Sequence, residues 1–274
     1  MNIGIFDSGL GGLTIFKAIA TLLPQYNYIY LGDNAHAPYG NRSPKIIYQF
    51  TLKAIEFLHQ KNCGLTILAC NTASAVALKK LQHQYLPQKY PQGKIIGVIK
   101  PTAEVVAENN FSRIAIIATL ATVKSQSFVK EILKLKPQTE IKQLATPLLV
   151  PLIENNKINA RETDIIIQNY LNQLLPWKPQ CLILGCTHYG LIAHKINRQL
   201  KKRKISIISE ETIIAEKLTQ YLKTHPQLEK KLTKNHQRQF FVTDINNFYK
   251  RQVKLFFKAD FKKKNHLELA SYKL

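Results

Sequence analysis

Acidic side chains are scarce in this sequence: 17 Asp and Glu stand against 39 Lys and Arg, a formal net charge of +22. Half of that excess lies in residues 201–274, where 18 Lys and Arg face 7 Asp and Glu, with runs KKRK at 201–204 and FKKKN at 261–265. Such charge can meet nucleic acid, an anionic membrane or an acidic partner. No zinc-finger spacing or RNP-like aromatic pattern accompanies it, so a solvated lysine face is favoured over nucleic-acid contact. Long apolar runs are also missing, and none approaches the ~18 residues of a membrane span. The opening MNIGIF enters a strand pattern with no basic segment or cleavage site before it, so a cytoplasmic chain without a membrane partner is expected. Cysteines number only four (Cys63, Cys70, Cys181, Cys186), which argues for reduced thiols rather than a disulfide scaffold. DSGLGG at 7–12 is glycine-rich after a strand, but G-x-G-x-x-G and GK[ST] are absent, which argues against a nucleotide site.

What is present is an ordinary globular composition, 45% hydrophobic and 20% charged over 274 residues, enough for one or two domains. Short β-branched runs alternate with helix-length stretches. Strands are expected near 2–6, 28–31, 65–69, 94–99, 113–118, 140–144, 180–184, 205–208 and 239–242. Helices are expected at 44–60, with Ser43 as N-cap and Pro44 in the first helical position, and at 123–135. Alternation of nearly all-apolar strands with helices predicts α/β architecture with parallel sheets covered on both faces.

Ligands of such sheets gather at the carboxyl ends of the strands. The segments there are small and polar: DSGLGG, GDNAHAPYGNRS (32–43), CNTAS (70–74), TLAT (119–122) and CTHYG (186–190). Each alone reads as turn and cap chemistry; together they suggest the lining of one cleft. ILACNT (67–72) and ILGCTH (183–188) share Ile-Leu-small-Cys, with the thiols 116 positions apart. That suggests a duplicated half, each presenting one thiol to a cleft between the copies.

Three roles compete for these thiols. Buried cysteine commonly acts as a small hydrophobe, the reading favoured for Cys63 and Cys181. Cys70 and Cys186 instead follow the apolar run, beside hydroxyl and amide side chains at expected helix N-termini, which can lower a thiol's pKa. A zinc site using Cys186 and His188 is the second role, weakened by spacings that match no CxxC pair. The third is acid/base chemistry at a carbon acid: inverting a stereocentre needs a base on one face and an acid on the other, and two equivalent thiols supply that symmetry. With an ordinary pKa of ~8.5 a thiol needs help to ionise at neutral pH. His188 is the candidate assistant for Cys186, and Asp7 serves the opposite side. A structural hydrogen bond for His188 and a helix cap for Asp7 remain the alternatives.

DSGLGGLT, YLGDNAHAPYG, ACNTASA, ATPLLVPLIE and LGCTHYG, in this order, resemble the glutamate racemases of the cofactor-independent aspartate/glutamate racemase superfamily, from residue 3 to about 244. The resemblance implies two similar α/β domains with mainly parallel sheets and the active site in the cleft between them, residues 1–97 plus 207–274 forming the first and 98–206 the second. It implies Cys70 and Cys186 as catalytic thiols, assisted by Asp7 and His188. Asp7, Ser8, Tyr39, Gly40, Asn71, Thr72, Thr187 and His188 then hold the carboxylates and amine of the amino acid, with Thr119, Thr122 and Glu154 completing the pocket. Hydroxyls, amides and helix N-termini suit that task. The partners implied are L-glutamate and D-glutamate, with a homodimer open, and the product would serve peptidoglycan synthesis. No metal and no cofactor is expected: pyridoxal phosphate would supply an electron sink that two opposed thiols make redundant.

Four positions depart from the family's usual residues: Asn34 for Thr, His36 for Arg, Thr102 for Gly and Gly190 for Pro. None removes a thiol, although Gly190 is expected to loosen the loop after Cys186. His188 stands where aspartate racemases usually carry Glu, which favours glutamate. A binding module working through the basic C-terminal quarter is the competing class, with the charge skew as its one argument.

Overall fold

The computed structural model describes residues 1–245, 247, 250, 251 and, as backbone, 267–269. FKKKN, with Lys262, Lys263 and Lys264, lies outside the described residues. Among the described residues ten strands form two sheets: β1 (Asn2–Asp7), β2 (Tyr28–Gly32), β3 (Cys63–Leu68), β4 (Lys94–Gly97), β5 (Arg113–Ala118), β6 (Glu140–Ala145), β7 (Cys181–Gly185), β8 (Ser206–Ile208), β9 (Arg238–Val242) and β10 (Leu267–Leu269). One sheet runs β10-β9-β2-β1-β3-β4 and the other β6-β5-β7-β8. Every strand pairing is parallel.

The segment order β2-β1-β3-β4 is repeated as β6-β5-β7-β8. Strands β3 and β7, which Cys70 and Cys186 follow, therefore occupy equivalent places, each next to the first strand of its unit. Burial on both faces explains the apolar runs. Ile3 and Ile5 of β1 enter one core with Phe16 and Leu218, while Phe6 enters another with Ile47 and Leu58. In β7, Leu182 and Leu184 face the opposite core from Cys181 and Ile183. Each such side chain contributes about 1.5–3 kcal/mol when fully buried. Cys63 and Cys181 are buried in these cores, and burial pushes both thiols up to about 12.

Helix Pro44–Gln60 starts as expected, with the Ser43 hydroxyl accepting from the Ile46 N–H. The helix expected over 123–135 is instead two, Leu120–Ser125 and Ser127–Leu135, broken at Gln126 with φ 57°. Local hydrogen bonds of the Ser-Gln-Ser triplet compete with the helix ladder. The Ser125 hydroxyl donates to Thr122 O, and the Ser127 N–H donates to Ser125 Oγ. The break turns Phe128 into the interior, where it is fully buried. Strand β4 ends at Gly97 rather than 99, because helix Ile99–Glu108 begins there. Strand β10 was not expected; Leu-Glu-Leu alternates, but three residues are too short a run to read as a strand.

The division at 97/98 and 206/207 remains a proposal. Residues 206–208 pair with β7 in the second sheet, and we propose that the second crossing falls after β8. Among the described residues no helix is long and apolar enough to cross a membrane.

Candidate active site

Cys70 follows β3 and caps helix Asn71–Lys80, its sulfur accepting from the Ala73 N–H at 3.5 Å. Ser8 Oγ lies 3.3 Å from the same sulfur. A helix N-terminus lowers a thiol's pKa where solvent reaches it. Here burial dominates, the negative charge of Asp7 adds to it, and together they outweigh the Ser8 and Ala73 hydrogen bonds, pushing Cys70 up to about 12. Cys70 at rest is a thiol.

Cys186 follows β7 and opens a 3-10 turn, Thr187–Ile192. Its sulfur is 3.8 Å from Nδ1 of His188, whose Nε2 lies 2.6 Å from Glu154 Oε1. Burial alone would lower the His188 pKa, but the contacts with Cys186 and Glu154 prevail and hold it well above the ordinary value. Burial would likewise raise Glu154, and the His188 hydrogen bond and charge, with the Leu10 N–H, bring it below. Glu154 and His188 thus form an ion pair, and the imidazolium presents its second N–H to the Cys186 sulfur.

Asp7 ends β1 and is fully buried. Its carboxylate accepts from the Gly9 N–H at 2.9 Å and from the Thr187 hydroxyl at 3.3 Å. Burial raises its pKa against the lowering by His188 and the Gly12 and Gly9 N–H groups. Glycine is required at 11 because the β1 loop lies directly on the second thiol's loop. A Cβ there would meet Thr187 Oγ1 and come within 2.7 Å of His188 Nδ1.

Ser8, Tyr39, Gly40, Cys70, Asn71, Thr72, Thr119, Glu154, Cys186, Thr187 and His188 line one cleft. Asp7 and Thr122 lie behind it: Thr122 is fully buried, with its hydroxyl 3.0 Å from that of Thr119. Thr119 in turn reaches Thr72 at 2.9 Å, joining the two units across the cleft. The Tyr39 hydroxyl donates to Asp33, which also accepts from Thr243 at 2.8 Å, so the phenol is engaged by the protein. Ala37, Pro38 and Asn41 of the 32–43 segment line the cleft too, as do Thr146, Pro147, Val150 and Pro151, which were not foreseen there. Their signal was the same strand-end placement.

A buried acid behind the cleft was also missed. Glu210, the first residue of helix Glu210–Thr224, is 3% exposed, and its Oε1 accepts from Asn71 Nδ2 at 2.7 Å. Thr102 Oγ1 stands 3.2 Å from the same oxygen. In sequence, SEET at 209–212 reads as a solvated helix start. Burial first, then the neighbouring charge of Glu211, raise Glu210 to about 8. An acid protonated in the native state and ionised in the unfolded state costs stability as pH rises between the two pKa values. Glu210→Gln should therefore gain thermal stability over the parent between pH 5 and pH 8, the gain being larger at pH 8. A flat difference in Tm across that range would refute the assignment. A Cβ at Gly190 would meet the Glu211 carboxylate, which occupies that space.

The model of the Asp/Glu/Hydantoin racemase family matches residues 12–218. A glutamate racemase from Sulfurihydrogenibium sp. (strain YO3AOP1) is 36% identical over 251 residues, 91% of each chain. One from Aquifex aeolicus (strain VF5) is 38% identical over 224 residues, 81% of this chain and 84% of that one. The crystal structure of glutamate racemase from Francisella tularensis subsp. tularensis SCHU S4, in complex with D-glutamate, superposes with a TM-score of 0.87 at 31% identity, covering 98% of this chain and 97% of that one.

Proposed function

The chain belongs to the Asp/Glu/hydantoin racemase family and is an amino-acid racemase, and from that premise we propose that it interconverts L- and D-glutamate, with Cys186 and Cys70 acting as base and acid on opposite faces of Cα. The observation that carries this reading is the unequal setting of two thiols that share one cleft. Cys70 is held as the neutral thiol, the form of an acid, while Cys186 lies 3.8 Å from Nδ1 of His188, whose other ring nitrogen is paired with Glu154. That pair is set to act on L-glutamate: the Cys186 thiolate takes the proton from Cα, and the electron pair left on carbon takes the Cys70 proton from the opposite face. The products are D-glutamate, a Cys186 thiol and a Cys70 thiolate, the starting point for the reverse reaction.

Backbone N–H groups at the helix start after Cys70 and the hydroxyls of Ser8, Thr72, Thr119 and Thr187 are the proposed partners of the two carboxylates. No group beyond these side chains enters the proposed chemistry. The D-glutamate formed would supply peptidoglycan precursors, in the cytoplasm.

The decisive measurement is circular dichroism of L-glutamate incubated with purified protein and nothing else added. The signal should decay to zero, and chelator treatment should leave the rate unchanged. Aspartate should be turned over at least ~10²-fold less efficiently, since a pocket fixing both carboxylates leaves the shorter acid's Cα about an ångström or more from the thiols. Equal kcat/KM for the two acids would overturn the choice of glutamate, and loss of activity on chelation, restored by zinc, would overturn the two-thiol chemistry.

A further inference from the structure

We infer that Glu210 is a positioning residue for the proposed reaction: its carboxyl group fixes the Asn71 amide, so that the NH2 end is held by the protein and the carbonyl end is presented for the ligand's ammonium group. The inference rests on the glutamate reading for the ligand and on geometry for the rest. Asn71 is 1% exposed, follows Cys70 directly and lines the cleft. Its Nδ2 donates to Glu210 Oε1 at 2.7 Å, while Oδ1 is buried and has no protein partner. A buried amide oxygen without a donor is costly unless something arrives to satisfy it. An α-ammonium group is the donor that an amino acid brings.

Glu210 is unlike an ordinary first-turn acid. Such residues point along the helix axis to its free N–H groups or to water. This side chain turns inward across to Asn71, with the Thr102 hydroxyl at its other flank. The setting favours the uncharged carboxyl, whose carbonyl oxygen does the accepting. A glutamine side chain can do the same, whereas alanine or methionine cannot.

The experiment compares Glu210→Ala and Glu210→Gln with the parent, using steady-state kinetics on both glutamate enantiomers and the NMR signals of the Asn71 side-chain amide, assigned with Asn71→Ser. Glu210→Ala should raise KM about tenfold for both enantiomers with kcat changed less than about threefold, as expected when a binding group is released in ground and transition states alike. Its Asn71 amide protons should lose their hydrogen-bonded shift and exchange faster. Glu210→Gln should keep the amide signature and bring KM back to within about threefold of the parent. Should Glu210→Ala not fold, Glu210→Met takes its place, with similar length and no acceptor. An unchanged Asn71 amide signal in the Ala or Met variant, a loss of kcat at constant KM, or a Gln variant as impaired as Ala would each overturn the inference. A parent that does not racemise glutamate would overturn the functional reading, and the amide signals would still decide whether Glu210 holds Asn71.

Discussion

Cys70→Ala and Cys186→Ala should each abolish inversion in both directions, by at least the ~10² to 10⁴ that one positioned acid or base supplies. Both directions fall together for two reasons. Every turnover needs one thiol as base and the other as acid. The enantiomers also have equal free energy in water, so kcat/KM must be the same from either side in any variant. The asymmetry of the site emerges only in heavy water. A protein retaining Cys186 can remove and return the α-proton of L-glutamate without inverting it, and one retaining Cys70 can do so with D-glutamate. Exchange will be slow, because the carbanion lacks its partner acid and a buried thiol trades its proton with solvent rarely; Cys70 and Cys186 are only 5% and 7% exposed. Exchange of the same enantiomer in both variants, or undiminished racemisation by either, would refute one thiol per face.

The thiols were legible in sequence because the chain presents them twice in the same setting, and the fold carries them on strands in equivalent places of two sheets. Strand positions were legible because both faces of β1 and β7 are buried, which leaves a continuous apolar run bounded by turn residues. Less visible was anything decided by contacts between distant segments. Glu154 was placed in the pocket by resemblance, but its ion pair with His188 joins residues 34 positions apart, which no local pattern encodes. Glu210 looked solvated because sequence gives the helix start and not the direction of a side chain; its partners Asn71 and Thr102 are 139 and 108 positions away. The break at Gln126 failed for the opposite reason. Its cause is local, three polar residues within a helix-length stretch, and apolar periodicity on either side masked it.

Glu154→Gln should lower kcat/KM about 10²-fold in both directions while leaving the fold intact. Glutamine keeps the shape and can still accept from His188 Nε2, so the substitution removes charge and little else. His188 is buried, and burial alone drives it toward the neutral form. Without the Glu154 carboxylate, its pKa falls and the imidazolium that faces Cys186 is lost near neutral pH. The high-pH limb of the kcat/KM profile, where the imidazolium deprotonates, should move to lower pH in the variant. Stability follows the same pair. The pKa of Glu154 is lowered by folding, so its contribution is present above the ordinary carboxylate range and lost as pH falls through the folded value. That of His188 is raised, so its contribution is present below the ordinary imidazole range and lost as pH rises through the folded value. The parent should therefore exceed Glu154→Gln in Tm across neutral pH, with the difference shrinking toward both extremes. An unshifted pH profile in a well-folded variant would show that Cys186 does not depend on the His188 charge, and the asymmetric priming of the two thiols would fall with it.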